Sequence, residues 1–329
     1  MTGEKNKKIL VSGIQATGKL HFGNYFGAMK QSVDLGNSGE YEAYIFIADY
    51  HALTTVKDGE TLRDNTREIV AAYVACGLDL SKVTLFKQSD VPAHTELSCI
   101  FSNVVTMPYL MRAHAFKDHE AKDKEVNLGL FNYPVLMAAD ILIYNADVVP
   151  VGADQKQHIE YARDIAGFYN RAWGVEQFKL PKDYILESVG TIPGTDGEKM
   201  SKSKGNVIAL FGTDEEVKKS VMGIVTDSAT PDEKKNPDTN NIYNIYKHFL
   251  TTEEDAKLRA KFENGGYGYK SAKDDLLVTI MKWREGKVEI YNDLISNPEK
   301  IKAILNQDGI VARAKAEETM KLVREQIGL

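Results

Sequence analysis

The hydrophobic pattern of the first half of the chain alternates between short apolar runs and segments of helical spacing. Three short apolar runs, rich in β-branched and aromatic residues, predict buried strands: 8–12, 43–48 and 83–86. Between them, residues 23–35 and 63–76 have apolar side chains at helical spacing, and Gly77 follows as a C-terminal cap. Residues 148–151 form a later strand. This order predicts an α/β fold, a parallel sheet with helices on both faces.

The pattern changes near residue 211, where strand-like runs stop and helical segments dominate. These segments are 214–225, 253–262, 271–294 and 311–327. We therefore expect a catalytic domain at 1–211 and an α-helical C-terminal domain at 212–329, with the last helix a candidate to pack back on the first domain. The most loop-like stretches are 183–206 and 228–241, and long loops without structure of their own are commonly functional.

Composition narrows the class of protein. The 329 residues suggest about two domains, and 43% hydrophobic with 27% charged residues excludes wholesale disorder. A net charge of −6 excludes a protein that coats nucleic acid through a basic surface, but it does not exclude a local basic patch. The two cysteines, Cys76 and Cys99, have no zinc-site spacing and fit a reducing compartment. No window approaches the roughly 18 apolar residues of a membrane span, and we expect a cytoplasmic protein without a membrane partner.

The loop after the first strand, residues 13–24, leads into a helix. A helix N-terminus at the carboxyl end of a strand is a common phosphate site. Here His21 and Asn24 lie one turn apart with Gly23 between them. Two interpretations remain open: a nucleotide base or ribose lies on the bare backbone at Gly23, or His21 and Asn24 cap the helix and Gly23 gives packing room.

A second segment, residues 198–205, contains the lysines Lys199, Lys202 and Lys204. Lysine is a flexible point charge that suits a polyphosphate, whereas the alternative is a solvated surface loop. The sequence KMSKS at 199–203 is an uncommon pentapeptide, and its combination with HFGN at 21–24 is specific.

These two segments resemble the two signatures of class I aminoacyl-tRNA synthetases. Further segments resemble the bacterial-type tryptophanyl-tRNA synthetase family: SGIQ at 12–15, NY with GA at 24–28, YP at 133–134, LMAADIL at 136–142, VPVGADQKQH at 149–158 and VTDS at 225–228. The resemblance runs from about residue 9 to the C-terminus. Departures from the family pattern are Val11, Ala16, Val135 and the loop at 188–199.

The resemblance implies a Rossmann-like catalytic domain that binds ATP and tryptophan, and a helical domain that binds the tRNA anticodon. The tryptophan carboxylate attacks the α-phosphorus of ATP to give tryptophanyl-adenylate and pyrophosphate. A terminal ribose hydroxyl of tRNA(Trp) then attacks the acyl carbon. Such chemistry needs positioning and charge stabilisation rather than a protein nucleophile. It also implies Mg²⁺ carried with ATP, no resident metal, and a homodimer that tRNA crosses.

The family's roles fall on particular residues of this chain. The implied catalytic residues are Lys199, Lys202, Lys117, His21 and Asn24. The implied ATP-binding residues are Gln15, Ala16, Thr17, Gly23, Asn24, Gly152, Ala153, Asp154, Lys199, Met200, Ser201, Lys202 and Ser203. The implied tryptophan-binding residues are Asp140, Met137, Tyr133, Gln155, Gln15 and His51.

Asp140 is the most informative of these residues, because it lies in an apolar segment of helical character. A buried carboxylate needs a partner. One interpretation pairs it with an arginine or a cap, and the other makes it the acceptor of the indole N–H. His51 follows the second strand and is either structural or on the substrate side, and Met137 packs either on the indole or in the core.

The helical part offers weaker signals. Scattered lysines and Arg284 could meet tRNA phosphates. Tyr267, Tyr269 and Trp283 serve either anticodon stacking or packing. Three rival functions remain: a tyrosine-specific synthetase, a small-molecule nucleotidylyltransferase, and an RNA-binding paralogue without catalysis. We expect no DNA partner.

Overall fold

The computed structural model describes residues 7–113, 116–117, 125–151, 156–184 and 192–329. Its sheet has five parallel strands in the order β3-β2-β1-β4-β5. The strands are β1 Lys8–Gln15, β2 Tyr41–Ala48, β3 Val83–Lys87, β4 Val148–Pro150 and β5 Lys182–Tyr184. The four predicted strands and the α/β fold class are confirmed. We did not predict β5, because its three residues run into a stretch that has the composition of a loop.

The loop after β1 lies at the point where the strand order of the sheet reverses direction. This strand pairs with β2 over its full length, from Lys8 opposite Tyr41 to Gln15 opposite Ala48, and with β4 on its other side. The chain thus extends the sheet first to one side of β1 and later to the other. Ligands of open parallel sheets bind outside the carboxyl ends of the strands at such a switch point.

The helices within the described residues have a wide range of lengths. In chain order they are α1 Phe22–Asn24, α2 Lys30–Asn37, α3 Asp49–Ala52, α4 Gly59–Ala75, α5 Ala93–Ser102, α6 Met107–Leu110, α7 Leu128–Leu142, α8 Lys156–Trp173, α9 Asp214–Met222, α10 Asn241–Tyr246, α11 Thr252–Asn264, α12 Tyr269–Arg284, α13 Lys287–Ser296 and α14 Pro298–Ile327. A π-helical turn, Tyr25–Met29, joins α1 to α2.

Two predicted helix bounds are wrong for identifiable reasons. The segment 271–294 is two helices, because the chain bends at Gly286, which has a φ of +72° that favours glycine. The last helix begins at Pro298 rather than at 311, with proline in the first turn, where its missing N–H costs no hydrogen bond.

The chain divides into two compact units that differ from the predicted domains. Unit 1 comprises Met1–Gly18, Gln31–Leu186 and Leu294–Leu329, and unit 2 comprises Lys19–Lys30 and Glu187–Asp293. A boundary near 211 misses this division because both units are discontinuous in sequence. The pattern of apolar residues shows where helices replace strands, but not which distant segments pack together.

The core of unit 1 lies between the sheet and its helices, and α14 is part of this unit. The Asp308 carboxylate of α14 accepts the N–H of Leu85 in the edge strand β3 at 2.7 Å. The Arg324 guanidinium donates to both carboxylate oxygens of Glu96 on α5, each at 2.7 Å. These contacts fix the last helix against the edge of the sheet.

Unit 2 has an aromatic core that includes the start of α1. The Phe22 ring lies 5.1 Å from the ring of Trp283, and Tyr25 lies 4.8 Å from it. The hydroxyls of Tyr267 and Tyr269 donate to Asp275 and Asp227, respectively. The structure therefore favours packing for these aromatic residues over anticodon stacking.

No helix in the described part of the chain is both long and apolar enough to cross a membrane.

Candidate active site

The HFGN segment belongs to unit 2 and begins α1. The Phe22 N–H donates to the carbonyl of Ile208 at 3.0 Å, and the Leu210 N–H donates to the carbonyl of Leu20 at 3.0 Å. The Asn24 side-chain oxygen accepts the His21 N–H at 3.1 Å. Asn24 therefore caps the helix, as one of the two sequence interpretations holds, and the pairing with residues 208–210 fixes the direction of the segment.

Gly23 has little room for a side chain. A Cβ there would lie 2.9 Å from the His21 Nδ1 and 3.1 Å from the Met200 Cβ. A side chain at this position would therefore collide with its neighbours, so the close approach of these segments requires glycine. Gly23 also brings α1 against the KMSKS segment, since Met200 is its second residue.

His21 is buried and its Nδ1 has no hydrogen-bond partner within the described residues. Burial, with the positive charge of Lys202 as a second cause, lowers the pKa of His21 from 6.5 to about 4. The imidazole is thus neutral at neutral pH. It can exchange hydrogen bonds with a phosphate or ribose, but it cannot contribute a positive charge there.

We call residues 198–205 the lysine loop. It is held at its base by Asn206, which is buried. Its side-chain oxygen accepts the Ser201 N–H at 2.7 Å, and its amide nitrogen donates to Asp196 at 2.8 Å and to the Lys199 carbonyl at 3.2 Å. Lys199 and Lys202 have exposed side chains, and Lys204 forms an ion pair with Glu198. Sequence reasoning missed Asn206, three residues beyond the pentapeptide.

Asp140 is fully buried on α7, in unit 1. The His94 Nδ1 lies 2.5 Å from its Oδ1, and the His51 Nε2 lies 2.8 Å from its Oδ2. The Gln88 amide nitrogen lies 2.8 and 2.9 Å from the two oxygens. We call Asp140, His51, Gln88 and His94 the carboxylate cluster. The interpretation that paired Asp140 with an arginine or a cap named the wrong partners.

The electrostatics of the carboxylate cluster favour ionised Asp140. Burial alone would raise the pKa of Asp140, but hydrogen bonds from His51 and His94 outweigh this effect and lower the pKa from 3.8 to about 2. Gln88 and His94 were missed by sequence reasoning. A signal for them existed, because both follow the carboxyl end of β3, just as His51 follows that of β2.

Two other residues of the predicted tryptophan set lie along α7. The Tyr133 hydroxyl is 2.9 Å from the Nε2 of His158, and burial raises the pKa of Tyr133 to about 12. Met137 is half-buried and packs against the core of unit 1. A pocket of about 390 Å³ is lined by both His51 and Tyr133, together with Tyr50, Thr95 and Asn132. Met137 and Asp140 do not line this pocket.

The remaining predicted residues lie in several places. Gln15 ends β1, and the Ala16 carbonyl after it accepts from the Asn65 amide at 3.0 Å, which anchors the loop to α4. Thr17 and Lys117 have exposed side chains. Ser203 is exposed within the lysine loop. Gly152, Ala153, Asp154 and Gln155 lie outside the described residues.

Comparisons with known proteins agree with this fold. The family model for class I tRNA synthetases (W and Y) matches residues 4–283. A tryptophan–tRNA ligase of Fusobacterium nucleatum is 50% identical over 319 residues, which are 97% of both chains. A tryptophan–tRNA ligase of Campylobacter jejuni is 42% identical over 97% of this chain and 99% of its own. The chain therefore belongs to the class I tRNA synthetases of the tryptophan and tyrosine group.

Solved structures extend the likeness. A crystal structure of tryptophanyl-tRNA synthetase from Campylobacter jejuni, complexed with ADP and tryptophan, has a TM-score of 0.88 at 42% identity and covers 97% of this chain and 99% of that one. Tryptophanyl-tRNA synthetase from Mycoplasma pneumoniae has a TM-score of 0.82 at 29% identity, with 98% of each chain covered.

Proposed function

We propose that this chain is a tryptophan–tRNA ligase. It activates L-tryptophan with ATP to tryptophanyl-adenylate and pyrophosphate, and then transfers tryptophan to the terminal adenosine of tRNA(Trp). The observation that carries the proposal is the relative of that name at 50% identity over 97% of both chains. The approach of Met200 to Gly23 supports it, because this brings the two signature segments together within unit 2.

The phosphate chemistry falls to the cations of the lysine loop. Lys199 and Lys202 bind the departing pyrophosphate, with Lys117 as a further cation, and the ATP substrate arrives with its Mg²⁺. Negative charge shifts toward the pyrophosphate as the bond to the α-phosphorus breaks, and positive charges beside it stabilise that state more than the ground state. Neutral His21 contributes hydrogen bonding, and Asn24 holds the helix start that carries it.

The rest of the ATP molecule meets residues of several loops. We assign Gln15, Ala16, Thr17, Gly23 and Asn24 to the nucleotide, together with Gly152, Ala153 and Asp154 at the ribose. The lysine loop lies along the phosphates and contributes Met200, Ser201 and Ser203 to the ATP site. Closure of that loop over ATP would supply its cations, and opening would release the product.

Asp140 gives the site its selectivity for tryptophan. The indole ring offers one N–H donor and no acceptor, so an ionised carboxylate is its complement. Phenylalanine would leave this buried acceptor without its substrate partner, and such a loss is costly. Met137 packs on the indole, Tyr133 and Gln155 bind the α-amino group, Gln15 lies at the carboxylate, and His51 is on the substrate side.

Recognition of tRNA(Trp) falls to the helical part of the chain. We propose that residues 212–293 read the anticodon, that the protein is a homodimer, and that tRNA crosses it. We also propose that the reaction takes place in the cytoplasm, in keeping with two free cysteines in 329 residues.

Pyrophosphate–ATP exchange with purified protein tests the proposal. Tryptophan, tyrosine and phenylalanine are each supplied, and Asp140→Asn is measured beside the wild type. We expect exchange with tryptophan alone and a loss of about 100-fold or more in kcat/KM for the variant. Asp64→Asn makes the same change at an exposed ion pair on α4 and should leave exchange unaltered.

The rival functions predict different results. Exchange driven by tyrosine would retain the family but refute the tryptophan pocket. A folded protein that binds ATP but exchanges with no amino acid would indicate the RNA-binding paralogue. Exchange without transfer to tRNA would indicate a small-molecule nucleotidylyltransferase.

A further inference from the structure

The carboxylate cluster contains one partner of Asp140 that lines a pocket and two that do not. His51 lines the pocket described above, whereas Gln88 and His94 are completely buried. A carboxylate has about four lone-pair directions. The three side-chain donors make four contacts with the two carboxylate oxygens, so a substrate N–H would share one of these directions with a donor of the cluster.

The orientation of Gln88 is fixed from behind. Its side-chain oxygen accepts the backbone N–H groups of Tyr50 at 3.2 Å and His51 at 3.4 Å. An amide whose oxygen is engaged in this way must present its NH₂ group to the other side. Gln88 therefore donates to Asp140 and cannot turn its oxygen toward it.

The tautomer of His94 is fixed in the same way. Ionised Asp140 only accepts hydrogen bonds, so the Nδ1 of His94 carries the proton. The Nε2 of His94 lies 2.8 Å from the Tyr144 hydroxyl, which holds the ring from the other side. The rings of Phe46, Phe86 and Tyr144 surround the imidazole at centroid distances of 6.0, 6.2 and 5.5 Å, so it has no room to swing away.

We infer that His94, backed by the Tyr144 hydroxyl, is a positioning residue that sets selectivity for tryptophan by holding Asp140 ionised and aimed at the indole N–H. This inference rests on the proposed function, in which Asp140 accepts that N–H. His94 itself does not contact the substrate. It acts through the carboxylate, as an outer residue that orients a ligand-binding group.

Removal of His94 should change the protonation of Asp140. Burial raises the pKa of Asp140, and the bonds from His51 and His94 are what lower it. A protonated Asp140 would carry an O–H on one oxygen and would be a weaker acceptor for the indole N–H. The titratable groups that face this carboxylate are His51 from α3 and His94 from α5, with Tyr144 beyond His94.

The test compares tryptophan with its benzothiophene analogue, in which sulfur replaces the indole N–H. The kcat/KM for each is measured by pyrophosphate exchange from pH 5 to 8 in the wild type and in His94→Leu, His94→Asn and Tyr144→Phe. In His94→Leu we expect the preference for tryptophan over the analogue to fall about 10- to 100-fold. The acid limb of kcat/KM for tryptophan should also move to higher pH. Asparagine retains an N–H donor and should restore most of the preference.

A purely structural role for His94 makes a different prediction. It would lower kcat/KM for both substrates by the same factor and leave the acid limb in place, and this result would overturn the inference. If His94→Leu does not fold, Tyr144→Phe decides, with an expected loss of preference of about 2- to 5-fold. An unchanged preference in that variant overturns the inference. If the wild type itself exchanges with no amino acid, the proposed function fails instead.

Discussion

The carboxylate cluster of unit 1 and the lysine loop of unit 2 are built in opposite ways. Asp140 is fully buried and receives hydrogen bonds from three side chains. Lys199 and Lys202 instead have exposed side chains on a loop whose base is tied by the buried amide of Asn206. One region is complete before any substrate arrives, and the other presents charge on long, flexible side chains.

The difference fits the two tasks that we propose for these regions. Selection of one amino acid by one N–H requires an acceptor whose position and charge are fixed in advance. Stabilisation of a departing pyrophosphate requires cations that can follow it and then release it, and flexible lysines suit this. Substitutions in the cluster should therefore affect selectivity, whereas substitutions in the loop should affect rate.

Among the substitutions that test this difference between the two regions, Lys202→Met should have the largest effect. It removes a cation that we propose for the departing pyrophosphate, so kcat for pyrophosphate exchange should fall about 10²- to 10³-fold while KM for tryptophan stays within about twofold. Lys204→Met is the matched control, since Lys204 is already paired with Glu198, and it should retain nearly full activity. An equal loss in both variants would show that the loop acts through total charge.

A smaller effect is expected for Asn206→Ala, which unties the loop without removing a lysine. The hydrogen bonds to Ser201, Asp196 and the Lys199 carbonyl are lost. We expect about 1–3 kcal/mol less free energy of unfolding and faster trypsin cleavage within residues 199–204. Asn103→Ala, which removes one exposed bond to the Cys99 carbonyl, is the control. Unchanged trypsin cleavage in Asn206→Ala would contradict the assignment of Asn206 as the tie.

The smallest expected effect is on the pH dependence of the free energy of unfolding, which should differ between the two regions. The folded pKa of His21, about 4, lies below its ordinary 6.5. The unfolded chain therefore binds the proton first, and stability falls as the pH drops from about 6.5 toward 4. Asp140, with a pKa of about 2 against 3.8, begins to contribute a loss only below about pH 4.

His21→Gln should thus lose less stability than the wild type between pH 7 and pH 5, by roughly 2 kcal/mol. Chemical denaturation at the two pH values measures the difference. His248 has the same downward shift of its pKa, caused first by burial, and it cancels because both proteins contain it. Parallel pH dependences in the two proteins would show that His21 is not buried in the neutral form.

The sequence predicts the sheet well and the two units poorly. A strand of a parallel sheet, such as residues 43–48, is buried on both faces. Its residues are therefore almost all apolar, and this pattern is easy to identify in a sequence. Membership in a unit depends instead on contacts between distant segments. The last helix packs with the first domain, as the sequence analysis allowed, but no local pattern indicates that residues 19–30 pack with 187–293.

In the candidate site, too, contacts between distant segments could not be predicted from the sequence. Asp140 was noticeable because a carboxylate in an apolar helix must have a partner, but its partners come from α3, α5 and the turn after β3. His94 and Gln88 are ordinary residues in their own segments. Only the parallel arrangement of β2 and β3 brings the segments that follow them to the same carboxylate.

The hydrogen bond from the Leu85 N–H to Asp308 has a consequence for synthesis on the ribosome. The two residues are 223 positions apart, so at about 5–20 residues per second the edge of β3 is made some 10 to 45 seconds before the helix that covers it. An uncovered strand edge can pair with any other chain. The nascent protein thus passes through a period in which neighbouring ribosomes on one message carry the same exposed edge, and chaperone capture is most valuable in that interval.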